Sequence, residues 1–162
     1  MGDGPWSEFA GASSAVRVSS VDPRWVVTPP SSGDSVRSDS TEIHWDPEAR
    51  VASVRYAAGA SLTGPDGPLL VDALMRWIGT AGEPFAVLAD GAGLRGTNAE
   101  YRANVGRFFR QHRHAARIAL INLGPVIHVV VEMFRVGTGI QLKTFADEAA
   151  ARSWLRTKGI AA

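Results

Sequence analysis

The sequence predicts an α/β fold, a mixed five-stranded sheet packed against four helices. Three features predict it. Short apolar runs alternate with amphipathic stretches over most of the chain. The first two runs are adjacent and can pair as a hairpin, whereas the later ones are separated by helices and so should pair in parallel. Glycine and proline mark the boundaries between segments.

Residues 1–40 stand apart as a flexible extension rich in Ser, Gly and Pro, ahead of a regular domain over 41–160. VTPPSSGDSVRSDS, from Val27 to Ser40, is too polar to offset the entropy of ordering its backbone. Within the extension VRVSSVDPRWVV is compatible with short strands, and Trp6, Phe9 and Trp25 are candidate anchors. From Thr41 the pattern is regular. TEIHW and ARVASVRYAAG read as two strands joined by the turn Asp46-Pro47-Glu48-Ala49. Pro68 to Ile78 reads as a helix whose inner face carries Leu70, Leu74, Trp77 and Ile78, and Pro84 to Leu88 as a buried strand. Thr97 is the expected N-cap of a second helix reaching Ala115, with Glu100 completing a capping box. Arg117 to Leu123 is the next strand, and Gly124-Pro125 opens a third helix running to about Val136. Ile140 to Phe145 is the last strand. Asp147 then caps a fourth helix that turns Ala150, Ala151, Trp154 and Leu155 inward.

Composition narrows the chemistry. The 162 residues contain no cysteine, which excludes disulfides, thiolate catalysis and Cys-ligated zinc. A net charge of +1 gives no general attraction to nucleic acid. The extension carries Arg17, Arg24 and Arg37 against five carboxylates, so it is not a basic arm. The most apolar stretch, Gly124 to Phe134, is too short for stable membrane insertion. The start of the chain lacks the basic and apolar regions of a signal peptide, and a cytoplasmic location is expected.

GAGLRG, residues 91–96, has the G-x-G-x-x-G spacing of a dinucleotide-binding turn. Its context argues against that function. The following strand ends in INLG, offering Asn122 where a ribose-binding acid belongs, and the unit is not the first of the fold. No cofactor is expected. Among other candidates, His128 and Glu132 share a helix face and read as a stabilising pair more readily than as ligands, because no third ligand suggests itself. Asp90 ends a strand and can order its own loop through Asx-type bonds. Arg102, Arg107, Arg110 and Arg113 give the second helix a basic face, either solvated or docked to an acidic partner.

The element order together with VLADGAGLRGTNAEYR resembles the STAS superfamily, and residues from about Thr41 to Gly159 are similar to its SpoIIAA-like (STAS/SEC14-like) group. The closing KTFADEAAARSWL resembles the last strand and helix of SEC14-like members. The resemblance implies a bacterial signalling module, non-enzymatic, of the kind represented by anti-sigma-factor antagonists. It sets Asp90 and Gly93 in the turn before the helix and Thr97 at a hydroxyl position that a partner kinase phosphorylates in some members. Asn98 follows as a second polar group. Phosphorylated members carry Asp-Ser where this chain has Gly96-Thr97.

PVIHVVVEMFRVG, the third helix, is apolar around most of its circumference. Val126, Ile127, Val130 and Phe134 suit the core, which leaves Val129, Val131 and Met133 off that face. A protein partner or a second copy of the chain is expected there. The alternative is a small carrier holding a lipid-like or apolar ligand beneath this helix. Asp90, Gly93, Thr97, Asn98, Arg102, Val129 and Val131 are therefore the candidate switch and partner-binding residues, and no catalytic or metal-binding set is expected.

Overall fold

Strands and helices alternate as expected after an initial meander. The computed structural model describes residues 34–156. Trp6, Phe9, Trp25, the strands expected in VRVSSVDPRWVV and the helix exit at Lys158-Gly159 lie outside the described residues. The elements are β1 (Ser35–Arg37), β2 (Thr41–Asp46), β3 (Val51–Tyr56), β4 (Ala60–Leu62), α1 (Asp66–Ile78), β5 (Phe85–Asp90), β6 (Leu94–Thr97), α2 (Ala99–Gln111), β7 (Ala116–Ile121), α3 (Pro125–Thr138), β8 (Gln141–Phe145) and α4 (Glu148–Leu155).

The main sheet has six strands, not five, in the order β1-β2-β3-β5-β7-β8. The added strand, β1, comes from the stretch assigned to the linker. Its single apolar side chain, Val36, gives no readable periodicity, yet pairing with β2 buries it to 1% exposure. β1, β2 and β3 form an antiparallel meander, and β3, β5, β7 and β8 are parallel. The β2–β3 turn is tied by Asp46, whose Oδ1 accepts from the amides of Glu48 and Ala49 at 2.9 and 3.1 Å. Arg50 closes that turn in the left-handed region, at φ 56°. Its guanidinium donates to the carbonyls of Pro84 and Ile78, which fixes the exit of α1.

The parallel strands follow one another across the sheet without reversing direction. Right-handed crossovers that all step the same way leave their helices on the same face. That face holds the larger core, where Val54, Val87 and Ile118 of the sheet meet Leu74 of α1, Phe108 and Phe109 of α2, and Val131 and Phe134 of α3. The opposite face has a smaller core formed by Leu88, Ala119 and Ile121 against Ala151 and Leu155 of α4. Asp147 caps α4 as expected, accepting from the amide of Ala150 at 2.8 Å, but Ala150 itself is exposed. Arg117 of β7 lies under the helix. Its guanidinium donates to the carbonyl of Trp154 and sits 4.0 Å from that indole ring, and desolvation lowers its pKa.

The second helix departs from expectation at both ends. Its N-cap is Asn98, whose side chain accepts from the amide of Tyr101 at 2.8 Å. Thr97 is the last residue of β6, and its extended backbone is held by pairing with β4. The helix ends at Gln111, with His112 as the C-cap. Glu100 does not close a capping box onto Thr97; its carboxyl group packs over Gly64 instead.

Candidate functional site

The C-terminal ends of the parallel strands carry the residues singled out by sequence, and the glycine turn explains how they converge. After β5 the chain makes a short loop and returns as β6, which pairs in parallel with β4 to form a separate two-stranded sheet. Gly93 passes directly over the end of β3. A Cβ on it would stand 2.5 Å from the carbonyl oxygen of Tyr56 and 2.6 Å from that of Ala57. Its own carbonyl accepts from the amides of Gly59 and Ala60 at 2.9 and 3.0 Å. The glycine spacing thus serves close backbone approach. The orderly strand succession also lacks the reversal at which open α/β sheets form a dinucleotide crevice.

Asp90 is the anchor of the loop. Its Oδ1 accepts from the Ala92 amide and from Asn122 Nδ2, both at 3.0 Å, and its Oδ2 pairs with Arg55 Nη1 at 3.2 Å. Asn122, in the left-handed region at φ 59°, brings the end of β7 to the same carboxylate. Three strand ends are joined at this one side chain. Its lone pairs are engaged in that ordering, which suits a structural post better than a general base.

Thr97, Asn98 and Arg102 lie together at the start of α2. Arg102 Nη1 donates to the carbonyl oxygen of Thr97 at 2.6 Å and to its hydroxyl oxygen at 3.0 Å. Behind them is a half-open cavity of about 110 Å³ between the sheet, α2 and α3. Its floor is Val87, Ala89, Ile118 and Leu120 of the sheet, and Ile127, Val130, Val131 and Phe134 of α3 form the roof. The polar groups on its lining are those of Thr97, Arg102, Tyr56 and Tyr101. The two phenols are neighbours and influence each other's ionisation. Burial, more than any neighbouring charge, pushes Tyr56 up to about 12 and raises Tyr101 well above its ordinary value. Both are neutral hydroxyls at physiological pH.

A groove of about 410 Å³ runs outside the cavity between α2 and α3, past Arg102, Ala103, Gly106 and Arg110 on one side and Val130, Met133 and Phe134 on the other. Arg102, Val130 and Phe134 line both spaces. Beyond the groove, α3 presents Val126, Val129, Met133 and Val136 to solvent at 72, 60, 70 and 73% exposure. Their spacing of three and four residues makes a continuous stripe.

Of the residues expected off the core face of α3, Val129 and Met133 are in the stripe, whereas Val131 is half-buried and packs against the main core. Val126, expected in the core, is exposed: it shares the outer stripe of Val129 and Met133, while its neighbour Ile127 turns inward at 4% exposure. Glu132 pairs with Arg135 at 3.0 Å, so it is not held in a pair with His128. Among the described residues no group of three His, Cys, Asp or Glu side chains could hold a metal ion. No helix among them is long and apolar enough to cross a membrane. Sequence reasoning missed the Tyr56–Tyr101 pair and the Arg55–Asp90–Asn122 cluster, since each joins residues distant in the chain. Only the polar residues at the strand ends hinted at the latter.

No family model and no curated protein matches the chain. Among solved structures, it is similar to an uncharacterized protein of the DUF3478 family from Shewanella loihica PV-4, described as having a SpoIIAA-like fold. The identity is 19% over 78% of this chain and 98% of that one, with a TM-score of 0.57. A looser likeness is to part of the murine Solute Carrier 26 family member A9 anion transporter, at 12% identity over 75% of this chain and 18% of that one. Its TM-score is 0.48. The mixed sheet, its parallel crossovers and the first of these likenesses together establish a SpoIIAA-like fold for this chain.

Proposed function

We propose that this domain is a non-enzymatic interaction module that docks a protein partner on the outer faces of α3 and α2. The observation that carries the proposal is the stripe of Val126, Val129, Met133 and Val136, well exposed on a helix whose other side is fixed to the core. Exposed apolar groups in one row favour a covering surface. The neighbouring groove is flanked by Arg102 and Arg110, while Arg107 and Arg113 are exposed on and just beyond α2. An apolar ridge with an acidic rim complements this surface. The SpoIIAA-like fold agrees with such a role, which the sequence resemblance associates with anti-sigma-factor antagonists and with a cytoplasmic signalling setting.

The test is Val129→Glu in the full chain, with partner capture or self-association read by analytical ultracentrifugation. Association should weaken by about tenfold or more, as expected for a charge buried against an apolar ridge without a counter-ion, with an unchanged thermal midpoint. Unaltered association with every partner captured by the wild-type chain would remove α3 from the interface.

A second reading rests on a different observation. The cavity beneath α3 is lined almost entirely by apolar side chains. Such a lining can accept an apolar molecule. Its volume suits a small ligand and is too small for a membrane-lipid chain.

A further inference from the structure

We propose that the cavity beneath α3 binds a small monocarboxylate, its apolar body of about four to six carbons inside and its carboxylate on Arg102 at the rim. The inference rests on the small-ligand reading above and adds the chemical class of the ligand. Size sets one limit. An apolar cavity of roughly 150 Å³ in an unrelated protein takes benzene, and this one measures about 110 Å³. A short acyl chain or a small ring fits, whereas a long fatty acid does not.

Charge supplies the second argument. Arg102 is half-buried and lies on the boundary between cavity and groove. Nη1 is occupied by Thr97, while no described group accepts from Nε or Nη2 and no described carboxylate forms an ion pair with it. A guanidinium with one edge fixed and other donors available is preorganised for a carboxylate. The remainder of the lining holds no second cation. Tyr56 and Tyr101 are neutral phenols that carry no counter-charge, and the other walls are aliphatic or aromatic. One anionic end and one apolar end are therefore selected together. Val130 and Phe134, shared by cavity and groove, form the partition that a ligand entering from the groove would displace.

The test uses the full chain and three probes, pentanoate, its neutral amide pentanamide, and benzene. Binding is followed by methyl-resonance NMR of the cavity residues and by thermal shift. Pentanoate should bind at least about tenfold tighter than pentanamide, the difference expected of a charge-assisted pair. Arg102→Gln should erase that preference and leave benzene binding unchanged. Ala89→Leu should block all three probes by filling the cavity, with Val105→Leu as a milder alternative if that chain does not fold. Equal binding of pentanoate and pentanamide, or an undiminished preference in Arg102→Gln, overturns the carboxylate assignment. If benzene alone binds, the cavity reading stands and this proposal falls. If no probe perturbs the cavity methyls, both fall. Pentanoate binding that survives cavity filling places the acid elsewhere and also overturns the proposal.

Discussion

Thr97 and Asn98 are adjacent polar residues at a helix start, and backbone position decides which acts as the cap. Asn98 has the extended backbone of an N-cap and accepts from the amide three residues on. Thr97 lies one residue too early, within a strand, where its hydroxyl accepts from Arg102. Asn98→Ala should therefore cost about 1 kcal/mol in urea unfolding, and Thr97→Ala less; a reversed order would return the cap to Thr97. Thr97 remains our candidate modification site because Arg102 can pair with a phosphate there. The two tyrosines allow a pH test. Folding raises Tyr56 from an ordinary 10 to about 12, while Tyr101 also shifts upward. Between those values the unfolded chain loses a proton that the folded chain keeps, so stability is complete below about pH 10 and falls as pH rises toward 12. Since Tyr56 and Tyr101 are the protein's only tyrosines, tyrosinate absorbance should appear together with loss of circular dichroism above pH 10. Ionisation of a fully folded chain at pH 10 would contradict the buried phenol pair.

At the scale of an element, α3 has two apolar sides with different physical roles. Ile127 is 4% exposed, and Val131 and Phe134 pack on the main core, so this side holds the helix down. The stripe through Val129 and Met133 contributes little to that attachment. β-branched residues are weak helix formers, and the inner face must compensate through packing. Pro125 at the first turn and Gly139 in the left-handed region then set the two ends. Val131→Glu should destabilise the domain by about 2–3 kcal/mol because it desolvates a charge and loses packing. Val129→Glu should stay within about 0.5 kcal/mol of wild type. Chemical denaturation of the two variants measures the contrast directly. Equal losses would mean that the exposed stripe also belongs to the folding core.

For the whole molecule, the parallel half was legible because its periods are long and local. Leu70 and Leu74 mark α1, and Tyr101, Val105 and Phe109 mark α2, at spacings that survive without knowledge of neighbours. The short strands were not legible. β1 has three residues and β4 has three, too few to show alternation, and each exists because a distant strand supplies its hydrogen bonds. The site divides in the same way. Thr97, Asn98 and Arg102 are close in sequence and could be picked out, while the cavity behind them requires side chains from β5, β7, α2 and α3 to meet. The N-terminal boundary tests the consequence. A domain beginning at Thr41, as the composition suggests, would lack β1, expose Ile43 where Val36 now covers the sheet, and leave one side of β2 unpaired. Burying a valine is worth about 1.5 kcal/mol, and an exposed β2 edge would invite pairing with another chain. A chain starting at 34 should consequently unfold at a higher temperature than one starting at 41 and remain monodisperse at concentrations where the shorter chain self-associates. Scanning calorimetry and light scattering on the two chains decide the matter. If they melt together and scatter alike, β1 contributes nothing to the domain and its boundary lies at Thr41 after all.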